Sequence, residues 1–466
     1  MRRLRFCCAL VCLPLAGCAV GPNYHRPKVS VPGVYRPQPP SASPQPTTVS
    51  LGSEKWWEVF QDPVLQQLIR TALQRNYDVR VAAARILEAQ AEVGITRSNQ
   101  FPTAAAGAQG YSERNPKISG AFGSYQTNVA EVDLSVIWNL DFWGKYRRQT
   151  ESARDNLLAS EWGHEAVISS VVSSVAADYF QLRELDLALE MSRRTLASRQ
   201  DSLRLTRVLA VNGSASLLEL RQAEELVYTA AEQVPDLERQ IQQEENAISD
   251  LLGENPQPIA RGLKLTEEPL PAAIPAGLPS ELLERRPDIR EAEANLMAAN
   301  ANIGVAKAAL FPSISLTGTA GFESYSLSKL FTGSAGLWNT GASLTQPVFE
   351  AGALRSGMRL VRAQEEQLLL TYKQTIIGAF QQVSDGLIAY QKDREFREQQ
   401  ERLTSAAADA DRLSKILYQN GGASYLQVLT SETNYFAAEL NLAQAQLNER
   451  LALVQLYNAL GGGWQQ

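Results

Sequence analysis

The chain has 466 residues, 44% of them hydrophobic, and carries 44 Lys and Arg against 50 Asp and Glu, a formal charge of -6. That composition excludes general disorder, and without a dominant basic patch it argues against a nucleic-acid partner. Only two histidines occur, His25 and His164, which leaves little for metal or acid–base chemistry; no catalytic residue and no metal ligand is assigned.

The first residues, MRRLRFCCALVCLPLAGC, hold all four cysteines. Arg2, Arg3 and Arg5 make a positive start, and Phe6 to Leu15 is an apolar stretch too short to span a bilayer. The pattern is a secretory signal, residues 1–17. It ends in Leu15-Ala16-Gly17-Cys18, small residues before a thiol, the arrangement of a bacterial lipobox. Cys18 is therefore expected to become the N-terminus, to carry diacylglycerol and an N-acyl chain, and to anchor the protein firmly in outer-membrane lipid. No other cofactor is expected. Disulfides would be absent from the mature chain despite an exported location.

Residues 18–53 are rich in Pro and Ser and read as an extended tether. The body starts near Trp56-Trp57. Asp62-Pro63 looks like a helix N-cap followed by proline, with one helix predicted to about Asn99. Thr103–Arg114 is predicted as a strand, and Asn115–Ser124 as a polar loop. The stretch TNVAEVDLSVIWNLD, about 127–141, has a period of two. Val132, Leu134, Val136 and Trp138 take one face, the lipid side of a barrel. Glu131, Asp133, Ser135 and Asn139 take the other. On one strand face Glu131 and Asp133 would wet a lumen rather than act as a catalytic pair.

A long proline-free helix follows, about Lys145 to Val211, with Ile168, Val172, Val175, Tyr179, Leu182, Leu185 and Leu189 stepping by three or four. Such length suggests a coiled coil. It breaks at Asn212-Gly213. A second helix runs to about Gly253, with Pro235 expected to kink it or mark a junction. Residues 254–279 read as a linker. Then the programme repeats: helix Ser280–Leu310, strands about 313–322 and 336–348, helix Ala353–Gln419, a break at Asn420-Gly421, and helix Ser424–Leu460 striped by Phe436, Leu440, Ala443, Leu447, Leu451 and Val454. A tail, 461–466, ends the chain.

The repetition holds residue by residue. GITRSNQFPT from Gly94 matches GVAKAALFPS from Gly304. LTRVLAVNGSAS from Leu205 matches LSKILYQNGGAS from Leu413. The chain is a tandem duplication, 54–253 and 280–460, of helix, two strands, long helix, helix. Four strands cannot close a barrel, since about eight is the practical minimum, and open edges are costly in lipid. Strands from several copies are implied, with two, three or four copies all satisfying the pattern. A periplasmic coiled-coil or adaptor lipoprotein without a pore would explain the helices but not the alternating strands.

Six phrases carry a family resemblance: GCAVGPNYHRP at Gly17, WWEVFQDPVLQQLI at Trp56, LDFWGKYRR at Leu140, LPSELLERRPDIREAEANL at Leu278, FPSISL at Phe311 and QNGGASYLQVL at Gln419. In this order the chain resembles the outer membrane factors, the TolC-like channels of tripartite efflux systems, in their NodT-type lipoprotein branch. The resemblance implies an α+β membrane protein. Its homotrimer would build a twelve-stranded β-barrel continued by a periplasmic α-helical barrel. It implies a passive exit duct for drugs or toxic compounds. The implied partners are a periplasmic adaptor (membrane fusion protein) and an inner-membrane pump of the resistance-nodulation-division (RND) type.

The resemblance also places adaptor contacts at the helical tips, here Asn212, Gly213, Ser216, Asn420, Gly421 and Ser424. Turn chemistry alone would also select Gly at a helix end and Ser as a cap. It implies a periplasmic gate at Leu426, with Thr430 where relatives hold an aspartate, and with Tyr418 and Gln419 holding the closed tip. As an alternative, Leu426 would be coiled-coil core. Glu432 is expected to face elsewhere.

Overall fold

The computed structural model describes residues 19–36, 50–115, 125–271 and 274–465. Cys18 and the predicted loop between the first two strands lie outside the described residues, apart from Asn115 at the strand end.

The first repeat begins with α1 (Pro63–Arg75), preceded by a single turn at Trp56–Val59. Asp62 caps α1. Its Oδ1 accepts from Val64 N at 2.7 Å, and its buried Oδ2 accepts from Tyr179 Oη at 2.7 Å and Leu263 N at 2.8 Å. The single helix expected to Asn99 is in fact broken. Asn76 interrupts it, and α2 (Tyr77–Ser98) starts anew. The Asn76 Oδ1 accepts from the amides of Asp78 and Val79, satisfying donors that a helix start leaves open.

The second repeat breaks at the matching place by other means. Arg286 precedes Pro287, whose ring pushes it out of the helical region, to φ -74° and ψ 121°. The expected helix 280–310 is therefore α5 (Pro279–Arg285) and α6 (Pro287–Ala308).

The long helices are α3 (Lys145–Val211) and α7 (Ala353–Gln419), 67 residues each. At 1.5 Å per residue each runs about 100 Å. Each is followed by a 35-residue helix, α4 (Leu217–Leu251) and α8 (Tyr425–Ala459). Pro235 sits inside α4 without ending it, against the expected junction.

The two repeats are not the two compact units of the chain. One unit collects 1–28, 85–160 and 291–372, and the other collects 29–84, 161–290 and 373–466. Each unit draws on both repeats. In the second unit the α3 stripe is core. Val172, Val175 and Leu182 are fully buried, and Phe60 packs edge-on against Phe180 and Tyr457.

Residues 19–36 are extended, as their prolines require, but they are not a free tether. Val20 N donates to Trp143 O at 3.0 Å. Arg148 donates to Asn23 Oδ1 at 2.7 Å, and Arg26 pairs with Glu293 at 2.9 Å. Tyr35 is buried against Phe380. The reason is charge and shape: this strap carries the Arg, Tyr and Asn that buried partners on the helices require.

The first unit holds one antiparallel sheet of β1 (Thr103–Asn115), β2 (Tyr125–Leu140), β3 (Ser313–Ser324) and β4 (Gly336–Thr345), in that order. β4 stops short of the predicted Val348. Register assigns the faces, because directly paired residues share one. Val132 pairs with Ala108 and Phe322, Leu134 with Ala106 and Ala320, and Trp138 with Leu316. Ile314 pairs with Leu344, and Ala320 with Trp338. One face is thus apolar across all four strands. The opposite face carries Gln109, Glu131, Asp133, Ser135, Thr317, Thr319, Glu323 and Asn339, interrupted by the apolar Val129, Ile137 and Leu337.

A pH effect follows from the helices of the second unit. Burial, then the charge of Asp178, pushes the Glu244 carboxyl up to about 7. A carboxyl raised on folding favours the protonated form. It supports the fold below its unfolded value, and that support is lost as pH rises toward 7. Glu244→Gln is expected to raise the thermal midpoint at pH 8 and leave it unchanged at pH 4, where the carboxyl is already neutral. Equal shifts at both values would exclude this titration.

Candidate functional site

Two helical hairpins form the site, and their turns repeat each other. At the end of α3, Gly213 has φ +75°. Its N–H donates to Ala210 O at 3.1 Å, and Ser214 N donates to Leu209 O at 2.8 Å. At the end of α7, Gly421 has φ +76°. Its N–H donates to Tyr418 O at 3.0 Å, and Gly422 N to Leu417 O at 2.8 Å. Both are Schellman closures, which satisfy the last helical carbonyls and need a left-handed residue. The side chains of Asn212 and Asn420 donate back to Val208 O and Ile416 O. A Cβ at Gly213 or Gly421 would meet nothing within 4 Å. Each turn is open to its surroundings.

Ser216 begins α4 with a reciprocal cap. Its Oγ accepts from Glu219 N at 3.2 Å, while Glu219 accepts from Ser216 N at 2.6 Å. At the second turn Gln427 Oε1 accepts from Ser424 N at 3.1 Å. Glu219 and Gln427 escaped the sequence reading, although Ser followed three places on by Glu or Gln is the signature of a capping box.

The hairpins pack through a small core. Tyr425, Val428 and Leu429 of α8 join Ala223 of α4, with Leu203, Leu226 and Tyr418 beside them. The rings of Tyr418 and Tyr425 lie 5.4 Å apart. Leu426 is excluded from this core and is 60% exposed in the protomer. The coiled-coil alternative for Leu426 is therefore incorrect within one protomer, because its neighbours in the chain take the buried face. Thr430, one turn on, is also exposed, and its Oγ1 donates to Leu426 O at 2.8 Å. Gln419 is exposed.

Farther along α8 lies a layer of charge that no single motif announced. Lys415 Nζ is 2.9 Å from both Asp411 Oδ2 and Glu432 Oε1. Glu439 is bound by Arg194 and accepts from Tyr435 Oη at 2.8 Å. The Arg199 guanidinium sits 5.2 Å from the centre of the Phe436 ring. These residues line a cavity of about 190 Å³. Arg199 Nε and Asp411 Oδ1 are buried without a hydrogen-bond partner. Burial lowers the Lys415 pKa, but hydrogen bonds to Glu432 and Asp411 outweigh it and raise the value overall. The sequence signal was slight: Asp411 and Lys415 stand four apart on one helix face.

The chain matches the family model described as outer membrane efflux protein over residues 68–254 and 278–462, so both repeats are covered. The chain belongs to the outer membrane efflux protein family. The probable efflux pump outer membrane protein TtgC of Pseudomonas putida is 37% identical over 98% of this chain and 95% of its own. The cation efflux system protein CusC of Escherichia coli is 34% identical over 99% of both chains. Among solved structures, the outer-membrane channel OprN superposes with a TM-score of 0.88 at 30% identity, covering 96% of this chain and all of that one.

The protein is thus an outer-membrane efflux channel. Membership gives the sheet its environment: the face with Val132, Leu134, Val136 and Trp138 is the one that suits lipid, and the polar face suits a lumen. No described helix is long and apolar enough to cross a membrane. In this outer membrane efflux protein the strands are the segments that fit lipid.

Proposed function

We propose that the channel is a homotrimer that serves as the passive exit duct of a tripartite system, and that it is anchored through acylated Cys18. The observation that carries the reading is the sheet. It has one apolar and one polar face, yet β1 and β4 end it as open edges. Lipid does not tolerate unpaired edges, so β4 of one protomer pairs with β1 of the next. Three copies supply twelve strands. Planar bilayers test it: the purified protein should conduct, and crosslinking should stop at three chains. A non-conducting monomer would overturn the reading.

The tips, Asn212 to Ser216 and Asn420 to Ser424, are proposed to meet a periplasmic adaptor that joins the channel to an RND-type pump. Their open turns support this reading, since such ends are free for docking. Leu426 and Thr430, backed by Tyr418 and Gln419, are proposed as the periplasmic gate. Gly421→Lys places a side chain in left-handed backbone at a cost of about 1–2 kcal/mol. With nothing within 4 Å of the new Cβ, the trimer should still form. Export in cells is expected to fall at least tenfold with trimer yield unchanged. Normal export would remove the tip from the adaptor interface.

A further inference from the structure

We propose that the β3–β4 connection, Tyr325–Ala335, inserts its aromatic edge into the outer leaflet and sets the depth of the barrel in the membrane. The four helices that lead into or out of the sheet, α2, α3, α6 and α7, all do so at one end of it, at Thr103, Leu140, Ser313 and Thr345. The connection lies at the other end, the outward one in a channel whose helices are periplasmic. It exposes Tyr325, Leu327 and Phe331, each more than 70% accessible, within seven residues. Large apolar side chains so concentrated on a surface mark an interaction site.

The side on which the loop lies is given by one contact. Phe331 packs edge-on against Phe322, with ring centres 5.7 Å apart. Phe322 is on the apolar face, paired with Val132. Phe331 therefore continues the lipid-facing surface and does not plug the lumen. That surface needs the extension. From Ile314 to Phe322 the apolar row of β3 runs about 27 Å along the strand. At a barrel tilt near 40° this covers about 21 Å, short of an apolar band of about 25 Å. One phenylalanine ring beyond Phe322 supplies the difference.

The loop is built to enter such a layer. Several of its amides are satisfied locally: Leu330 N donates to Leu327 O, Thr332 N to Lys329 O, and Ala335 N to Thr332 O. Leu330 is tucked beneath, 3% exposed. Lys329 stands exposed beside Phe331, where its ammonium can reach headgroup phosphate while the stem lies along the apolar boundary.

Phe331→Cys introduces a thiol into a chain whose four native cysteines all fall within the first 18 residues of the sequence. A nitroxide on it is read in the intact trimer in liposomes, against Val136→Cys on the apolar face and Asn339→Cys on the polar face, with the unsubstituted chain as blank. The expected result is an oxygen-to-nickel accessibility ratio like that at Val136. A ratio like that at Asn339, or strong dipolar broadening from a neighbouring copy, would overturn the proposal. In addition, Phe331→Ser should lower the trimer's melting midpoint by at least about 5 °C in long-chain lipid and leave it unchanged in detergent. An equal drop in both would make the ring a folding contact and refute the lipid role.

Discussion

Leu426→Ser is expected to raise the conductance of the purified channel roughly tenfold or more, with protomer stability unchanged. The argument rests on burial. Tyr425, Val428 and Leu429 fill the hairpin core, while Leu426 points away from it, 60% exposed. Replacing it removes little from the protomer itself, as for an ordinary exposed position. In a closed trimer, three copies of this leucine would meet on the axis. Burying one leucine is worth about 1.5–3 kcal/mol, and 1.4 kcal/mol is already a factor of ten in an equilibrium. Loss of three such contacts favours the open state and admits water. Thr430 adds no counterweight, since its hydroxyl is committed to Leu426 O. Single-channel recording and uptake of large antibiotics by intact cells check this. Unchanged values in both would take Leu426 out of the gate.

The duplication, the strands and the long helices were legible because each has a period that the eye can follow. Alternation from Val132 to Trp138 gave both faces of β2, and register then extends those faces to β1, β3 and β4. The breaks at Asn76 and Arg286 were missed for different reasons. Arg286 stood before a proline, a readable signal. Asn76 ends a helix by capping the next one, and an asparagine in an amphipathic run looks like any other exposed residue. The strap was misread because proline content dictates extended backbone but says nothing of what it touches. Arg26 finds Glu293, 267 residues away. At the tips the turn residues were plain, and only their capping partners, Glu219 and Gln427, were overlooked. Of the charge layer only the four-residue spacing of Asp411 and Lys415 was readable. Its members come from α3, α7 and α8, and only packing brings them together.

That layer gives the second large effect. Lys415→Met is expected to destabilise the tip hairpins by about 2–3 kcal/mol. Lys415 neutralises two carboxylates that are themselves nearly buried, Asp411 at 9% exposure and Glu432 at 8%. Removing one partner of a buried pair leaves uncompensated charge, typically costing about 3–5 kcal/mol. The value here is smaller because the Lys415 side chain keeps 35% exposure and water can reach the gap. Arg199 cannot substitute fully, since it is occupied with Leu226 O and the Phe436 ring.

Hydrogen exchange at the ends of α7 and α8 reads the local opening. The double variant Lys415→Met with Glu432→Gln removes one of the stranded charges and should regain about 1 kcal/mol, a coupling that a mere loss of methylene packing would not produce. Because Leu426 lies on the same helix as Glu432, fewer than two turns away, loosening this layer should also raise basal conductance. A single variant with wild-type exchange and wild-type conductance would mean that the charges in this layer are solvated already and hold nothing shut.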